Sequence, residues 1–284
     1  MAVHTKTSRS PLAVQATFAA LLTVALAAPL SAQEAVPDRV PQHDTLMLPS
    51  RVLGEVRRIN VHTPARYVAS DTARFPVLYM PDGGLDEDFS HVVNTVDSLT
   101  ALGAIRPMIV VGVPNTERRR DLTGSTRVKA DSAIAPHVGG SAAFRHFWHD
   151  ELVPAIDARY RTTPERAIIG ESLAGLFIVE TFLREPEIFD HYIAFDPSLW
   201  WNHGALVDSA TALLAAGRAS AAHHRTLYMA ASRDDIGNQT TRLAAALRGA
   251  APRGLAWKFQ PRPDLTHGTI FRALLPAALV STLR

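Results

Sequence analysis

The chain has 284 residues, of which 47% are hydrophobic and 20% are charged. This length and apolar content exclude a mini-protein and a disordered chain, and they predict one sizeable globular domain. The balance of 29 basic against 27 acidic residues leaves no basic field that would bind nucleic acid or an anionic membrane.

The first 32 residues have the pattern of a secretory signal peptide. Lys6 and Arg9 precede an almost entirely apolar run over 12–30, and the small-residue sequence L-S-A ends at Ala32. We therefore expect cleavage after Ala32 and an exported bacterial protein, periplasmic or secreted. An uncleaved anchor helix is the alternative, because ~20 apolar residues can also span a bilayer. No later segment of the sequence is long enough for that.

Residues 33–43 follow as a predicted flexible lead-in, because they carry two prolines and no apolar period. Residues 44–284 are predicted to form a single domain, since neither a repeat nor a linker divides them. The chain has no cysteine, so burial alone must hold this domain together although export would permit disulfides.

Within the domain, short apolar runs alternate with helical patterns. The predicted strands are 57–61, 77–80, 108–113, 167–169, 192–195, 226–231 and 257–259, and the predicted helices include 89–102, 141–158, 173–183, 204–215 and 240–248. This alternation predicts an α/β fold with a mostly parallel sheet and helices on both faces. The first strands are predicted to form an antiparallel edge, and the polar segment 115–140 to be a mobile loop.

The strongest local signal is the segment 170–175, GESLAG, between a predicted strand and a predicted helix. A serine nucleophile on such a sheet stands on a tight turn, so the residues two positions away must be small. Gly170 and Ala174 meet that requirement, although Ala174 departs from the pattern G-x-S-x-G. Ser172 is therefore the predicted nucleophile. The alternative is that Ser172 only caps the following helix.

An acid and a histidine follow Ser172 in the order that this arrangement requires. Asp235, or Asp234 beside it, is the predicted acid after strand 226–231, where a carboxylate would fix the histidine tautomer. His267, in a loop before a helix predicted to begin near Ile270, is the predicted general base. The alternative for the two aspartates is that they only initiate a helix.

A tetrahedral intermediate also needs two N–H donors in an oxyanion hole. Leu173, directly after the nucleophile, is one predicted donor, and Gly84, in a loop after strand 77–80, is the other. A plain glycine turn is the alternative for that loop. No cofactor and no metal are expected, because the pair His223-His224 lacks a third ligand at a recognisable spacing.

The sequence resembles the esterase family that includes enterobactin-type siderophore esterases, S-formylglutathione hydrolase (esterase D), feruloyl esterases and mycobacterial mycolyltransferases. The resemblance covers roughly residue 44 to the C-terminus and is carried by 77–83 (VLYMPDG), 108–116 (MIVVGVPNT), 120–123 (RDLT), 144–163, 170–175 and 197–201 (PSLWW). It implies the α/β-hydrolase fold, with Ser172, His267, Leu173 and Gly84 in the roles given above. Its acid falls on Asp234 or Asp235, and a Ser-His dyad is the alternative.

A group of three residues that follows strand 192–195 is predicted to bind substrate. Trp200, Trp201 and Asn202 would lie at the carboxyl edge of the sheet, where they would line the acyl or alcohol pocket. The alternative is two rim aromatics that pack on a helix.

The basic run 118–120 would suit an anionic ferric catecholate, but Glu117 and Asp121 flank it and favour a solvated loop. The sequence thus predicts an exported serine esterase that acts on a small-molecule carboxylic ester, such as a siderophore or aromatic acyl ester. An acyltransferase, or a binding protein of the same fold without activity, is the alternative. After signal cleavage we expect no membrane segment and no nucleic-acid partner.

Overall fold

The structure is a computed structural model that describes residues 1–3, 38–216 and 225–284. Most of the predicted signal peptide, residues 33–37 of the lead-in and the pair His223-His224 lie outside the described residues. The architecture below is that of the unit Asp38–Arg284.

A single eight-stranded sheet forms the centre of this unit. Its strands are β1 (Asp44–Ser50), β2 (Glu55–His62), β3 (Phe75–Pro81), β4 (Ile109–Val113), β5 (Thr162–Glu171), β6 (His191–Phe195), β7 (Arg225–Ser232) and β8 (Leu255–Arg262). Their order across the sheet is β1-β2-β4-β3-β5-β6-β7-β8. The pairings β1 with β2 and β2 with β4 are antiparallel, and the remaining neighbours are parallel. The sheet is therefore mostly parallel with an antiparallel edge, as the sequence predicts.

The strand β1 was not predicted. It lies at the edge of the sheet, contains Pro49 and is largely exposed, so its sequence shows neither a buried apolar run nor strong β-branched enrichment. Its backbone is held as a strand by pairing with β2, for example Leu46 opposite Ile59, and the local sequence does not indicate this pairing.

Helices cover both faces of the sheet. They are α1 (Ala65–Ala69), α2 (Phe89–Ala101), α3 (Arg118–Leu122), α4 (Lys129–Ser132), α5 (Ser141–His146), α6 (Val153–Arg159), α7 (Leu173–Arg184), α8 (Trp201–Ala215), α9 (Gln239–Ala250) and α10 (His267–Thr282). The helices α2 and α10 bury one face, and α5 to α9 bury the other. Among the described residues, no helix combines the length and apolar character needed to cross a bilayer.

The predicted helix 141–158 is interrupted by a π-helical stretch, Phe147–Leu152, between α5 and α6. Pro154 is the second residue of α6, and because proline has no N–H it cannot donate to the turn before it. The aromatic side chains of this stretch stay in the core, since Phe147 and Trp148 are fully buried.

The segment 115–140, predicted to be a mobile loop, is tied to the body of the domain. Arg57 and Asp121 are both almost fully buried and form an ion pair at 2.6 Å. The Gly140 N–H donates to the Arg120 carbonyl oxygen at 2.8 Å and closes the base of the segment. A polar composition suggested solvation, but these polar groups pair with one another inside the fold.

The described part of the lead-in, 38–43, has no regular secondary structure yet contacts two helices. Arg272 of α10 donates to the Asp38 carboxylate at 2.7 Å, and the Asn94 amide of α2 donates to the Arg39 carbonyl oxygen at 2.8 Å. These contacts attach residues 38 and 39 to the face formed by α2 and α10.

Candidate active site

Ser172 stands between β5 and α7 in a backbone conformation that few residues adopt. Its φ and ψ are 61° and −121°, a sparsely populated region that costs about 1–3 kcal/mol and persists only where surrounding packing enforces it. The Ser172 N–H donates to the Phe195 carbonyl oxygen at 3.0 Å, which fastens the turn to β6. The Ser172 side chain makes no capping hydrogen bond to α7, so the helix-cap alternative has no support.

Small residues around Ser172 allow strand and helix to approach closely. A Cβ at Gly170 would lie 2.7 Å from the Ala174 Cβ, and a Cβ at Gly175 would lie 3.0 Å from the Pro197 Cα. The departure of Ala174 from the pattern G-x-S-x-G is therefore accommodated, because the absent side chain of Gly170 leaves room for its methyl group.

His267 contacts Asp196, a carboxylate that was not predicted from the sequence. The His267 Nδ1–H donates to Asp196 Oδ2 at 2.7 Å. Ser172 and His267 line the same cavity, without a hydrogen bond between their side chains in this structure. The Asp196 side chain is 3% exposed and that of His267 is 46% exposed. A buried acid thus fixes the tautomer of a partly exposed imidazole.

Asp196 follows the last residue of β6 and is held by β7. Its N–H donates to the Ala230 carbonyl oxygen, and its carboxylate accepts hydrogen bonds from the Ser232 N–H at 2.9 Å and the Ser232 Oγ at 2.7 Å. Burial alone would raise the pKa of Asp196, but the hydrogen bonds from His267 and Ser232 hold it below the usual value. The carboxylate is therefore ionised and fixed in place.

Whereas the contact lowers the pKa of Asp196, it raises the pKa of His267. The hydrogen bond to Asp196 raises the pKa of His267, burial opposes that rise, and the charges of Glu171 and Asp234 add to it. The imidazolium form is thus favoured relative to a free histidine.

The predicted acid, Asp235, does not contact His267. Its Oδ1 accepts hydrogen bonds from the N–H of Thr240 at 3.1 Å and the Thr240 hydroxyl at 3.0 Å, so it caps the start of α9. Asp234 Oδ2 accepts the backbone N–H of His267 at 2.8 Å and does not contact the imidazole. The choice of Asp235, with Asp234 second, is therefore corrected to Asp196 as the carboxylate against the imidazole.

A sequence signal for Asp196 existed. It is the first residue after a buried strand of a parallel sheet, at the carboxyl edge where such sheets assemble their sites. The predicted acid was placed one strand further along the chain, because Asp234 and Asp235 form a carboxylate pair in the loop after strand 226–231. Residue spacing alone cannot distinguish the two positions, since both loops reach the same sheet edge.

The two predicted oxyanion donors differ in their present partners. Leu173 is the first residue of α7, so its N–H has no acceptor within the helix. The Gly84 N–H donates to the Glu87 carboxylate at 2.7 Å, and its neighbour Gly83 donates to the Val113 carbonyl oxygen at 3.1 Å. In this structure the Gly84 N–H thus has a carboxylate partner in place of an oxyanion.

A cavity of about 350 Å³ opens beside Ser172. It is lined by Ser172, Asp196, Pro197, Ser198, Trp200, Asp234, Asp235, Ile236 and His267. Trp200 and the exposed Ile236 provide its apolar surface, and the Ser198 Oγ lies 3.4 Å from the Ser172 Oγ. The cavity combines a serine, a histidine and an aromatic wall, which suits attack on an acyl group.

The other two predicted substrate-binding side chains have different partners. Trp201 is buried and donates its Nε1–H to the Gly124 carbonyl oxygen at 2.8 Å. The Asn202 Oδ1 accepts the Arg127 N–H at 3.1 Å. The prediction for Trp201 and Asn202 is therefore corrected: both side chains hold the segment 124–127, and only Trp200 lines the cavity.

The arginines 118–120 are also placed differently from the solvated loop expected for them. Arg118 makes a bidentate contact with Asp82, each bond at 2.7 Å. Arg120 donates to Glu55 at 2.7 Å and to Asp121 at 2.6 Å. Internal carboxylates thus neutralise Arg118 and Arg120. Over 1–3, 38–216 and 225–284, no group of three or more potential ligands is arranged around a metal position.

Comparisons with known proteins agree with this architecture. A family model described as "Putative esterase" matches residues 50–262. The ferri-bacillibactin esterase BesA of Bacillus subtilis is 27% identical over 57% of this chain and 61% of its own length. The siderophore triacetylfusarinine C esterase of Aspergillus fumigatus is 31% identical over 57% of this chain and 58% of its own. The chain therefore spans about three fifths of the length of these curated relatives.

Solved structures show the same fold. An IroE-like serine hydrolase from Shewanella oneidensis superposes with a TM-score of 0.76 at 25% identity, over 84% of this chain and 79% of that one. This similarity and the eight-stranded, mostly parallel sheet confirm the α/β-hydrolase fold that the sequence predicts.

Proposed function

The chain belongs to the family described as "Putative esterase", and from this premise we propose that it is an exported serine esterase that hydrolyses a carboxylic ester through an acyl-enzyme. Ser172 is the nucleophile, His267 the general base and Asp196 the acid of the triad. The observation that carries the proposal is the 2.7 Å contact between His267 and Asp196, in the cavity that contains Ser172.

Acylation begins when Ser172 Oγ attacks the ester carbonyl carbon and His267 Nε2 takes the serine proton. The resulting imidazolium is stabilised by the ionised, buried carboxylate of Asp196. His267 then gives this proton to the leaving alkoxide, and the alcohol departs. Water attacks the acyl-enzyme with His267 again as base, which releases the acid and restores Ser172.

The oxyanion of each tetrahedral intermediate needs donors that are already oriented. The Leu173 N–H meets this need, and one such donor is worth roughly 3–4 kcal/mol in the transition state. The Gly84 N–H would contribute only after Glu87 releases it. We therefore assign the first oxyanion contact to the Leu173 N–H. The Gly84 N–H becomes the second donor once the Glu87 carboxylate moves away from it.

The substrate class we propose is a siderophore ester or an aromatic acyl ester. Two curated relatives are described as esterases of siderophores, ferri-bacillibactin and triacetylfusarinine C. The Trp200 side chain in the cavity wall suits a flat acyl or alcohol group. Export would place the enzyme in the compartment where such compounds meet the cell, periplasmic or extracellular.

Turnover of short p-nitrophenyl esters by the protein lacking residues 1–32 tests the proposal. We expect Ser172→Ala to abolish turnover with an unchanged circular dichroism spectrum, and a fluorophosphonate probe to label Ser172 stoichiometrically. Ser198→Ala is the matched control, since this serine lines the same cavity, and its loss should leave the labelling intact. Labelling that persists in Ser172→Ala would overturn the assignment.

Absence of turnover and of labelling in the unmodified protein would instead indicate a binding protein of the same fold. Addition of an acceptor alcohol during turnover separates hydrolysis from acyl transfer, because a transferase would form a new ester. Export is tested by expressing the full chain in a bacterial host and sequencing the mature N-terminus, which we expect to be Gln33.

A further inference from the structure

Glu171, the residue directly before Ser172, has a position that the mechanism above does not use. It is the last residue of β5 and pairs with Phe195 of β6, one residue before Asp196. Side chains alternate across a strand, so Glu171 lies on the same face as Ile169. That residue packs in the layer of α2 and α10, with Phe89 and Ile270. Glu171 therefore points toward the side of the sheet where α2 and α10 begin.

The residues at those helix starts include His267 itself, the first residue of α10, and Asp88, which precedes α2. One carboxylate oxygen of Glu171, Oε1, is fully buried and has no hydrogen-bond partner among the described residues. Burial of a carboxylate without a donor costs free energy unless another interaction compensates for it.

The charged groups around Glu171 come from four elements. Asp82 lies after β3, Asp88 before α2, Asp196 after β6 and His267 at the start of α10. Three of these are acidic, and His267 is the group whose positive charge favours the ionised form of Glu171. Burial, with the acidic neighbours adding to it and His267 opposing, raises the pKa of Glu171 to about 7.

We propose that Glu171 is a positioning residue for the esterase reaction, a second carboxylate at the same sheet edge as His267 whose negative charge favours the imidazolium formed in each step. This inference rests on the proposed role of His267 as general base. Glu171 acts through His267, since it is not among the residues that line the cavity beside Ser172. Because it is largely buried, its charge is screened less than that of the exposed Asp234.

The interaction between Glu171 and His267 affects the pKa of both groups, so it can be tested by titration without measuring turnover. If the Glu171 charge favours the imidazolium, its removal must lower the pKa of His267, and removal of the imidazolium must raise the pKa of Glu171. A purely structural role for Glu171 would change stability but would leave the pKa of His267 unmoved.

We would follow the His267 ring by NMR titration in Ser172→Ala protein, with and without Glu171→Gln, and assign the signal from His267→Gln. Glu171→Gln is expected to lower the pKa of His267 by roughly one unit, a tenfold change in proton affinity. Glu165→Gln is the matched control, because this carboxylate lies near the opposite end of β5 and contacts Arg106. It should leave the pKa of His267 in place.

In active protein, Glu171→Gln should shift the acid limb of kcat/KM to lower pH and reduce the plateau roughly tenfold. An unshifted His267 titration in Glu171→Gln would overturn the proposal even if the enzyme turns over. If that variant does not fold, the side-chain carboxyl carbon of Glu171 can be titrated in the unmodified chain and in His267→Gln. An equal Glu171 pKa in the two proteins would overturn it as well. Turnover and probe labelling of Ser172 test the proposed function independently of both titrations.

Discussion

Asp196 and His267 are 71 residues apart in the chain, and their side chains meet at 2.7 Å. Both lie at the carboxyl edge of the sheet: Asp196 directly follows β6, and His267 is the first residue of α10, which follows β8. The strand between them, β7, fixes Asp196 through the backbone and side chain of Ser232. The position of Asp196 in this pair is thus set by the sheet.

Removal of the Asp196 charge should therefore be far more damaging than removal of the Asp235 charge. Asp196→Asn is expected to lower kcat by a factor on the order of 10²–10⁴, because the amide no longer stabilises the imidazolium and can favour the wrong tautomer. Asp235→Asn should change kcat by less than about threefold and act on stability through the α9 cap. Steady-state kinetics of both variants on one p-nitrophenyl ester show which of the two aspartates supports catalysis.

The pH dependence of kcat/KM should follow the ionisation of His267. Its pKa is raised above the ordinary histidine value by Asp196, so activity should fall as the pH drops through that raised pKa and hold at higher pH. In Asp196→Asn the remaining activity should persist to lower pH, because the neutral amide no longer favours the imidazolium. A profile whose acid limb is the same in both proteins would contradict this coupling.

Ser172 and His267 should act as a unit. Ser172→Ala, His267→Ala and the double variant are expected to lose about the same factor in kcat, since each single change already disables the proton transfer and attack. Single-turnover rates with an activated ester provide the comparison. Losses that multiply in the double variant would show that the two residues work independently.

Glu171→Gln should stabilise the fold at the same time as it slows the reaction. The pKa of Glu171 is about 7, above its unfolded value, so the folded state holds the proton more tightly than the unfolded state. Its ionisation therefore costs stability that develops as the pH rises from the unfolded pKa through about 7.

We expect the free energy of unfolding of Glu171→Gln to exceed that of the unmodified chain by about 1–3 kcal/mol at pH 8, and by little at pH 4. Urea unfolding at both pH values measures this difference. Equal gains at the two pH values would mean that packing, and not the charge, causes the effect.

The position of Gly83 should tolerate no side chain, because its loop lies directly against β4. A Cβ at Gly83 would lie 2.3 Å from the Gly112 Cα, a contact between two backbone segments that cannot be relieved by rotation. Gly83→Ala is therefore expected to cost about 3 kcal/mol or more of stability, beyond the usual range for one substitution. Gly249→Ala in α9 has nothing within 4 Å and should stabilise by about 0.5–1 kcal/mol. Thermal unfolding of the two variants makes the comparison.

The sequence determined the architecture to a large degree. Buried strands such as β3 and β4 are continuous apolar runs, and their alternation with amphipathic helices permits few arrangements other than a parallel sheet between two helical layers. The turn at Ser172 was equally local, because the small neighbours Gly170 and Ala174 are required by contacts within ten residues of chain. The histidine was found from its place after the last strand.

The acid, the role of Trp201 and the pairing of the arginines depend on contacts between distant segments. Several carboxylates stand at the same sheet edge, and local sequence says only that each ends a strand or starts a helix. Which one reaches the imidazole depends on the order β6-β7-β8 and on the hydrogen bonds of Ser232. The chain by itself thus determined the fold, and it was enough to predict Ser172 and His267 as the proposed nucleophile and base, because these rest on short-range patterns of polarity and size. Only the tertiary structure selected Asp196 over Asp235, because that choice is a distance across three neighbouring strands.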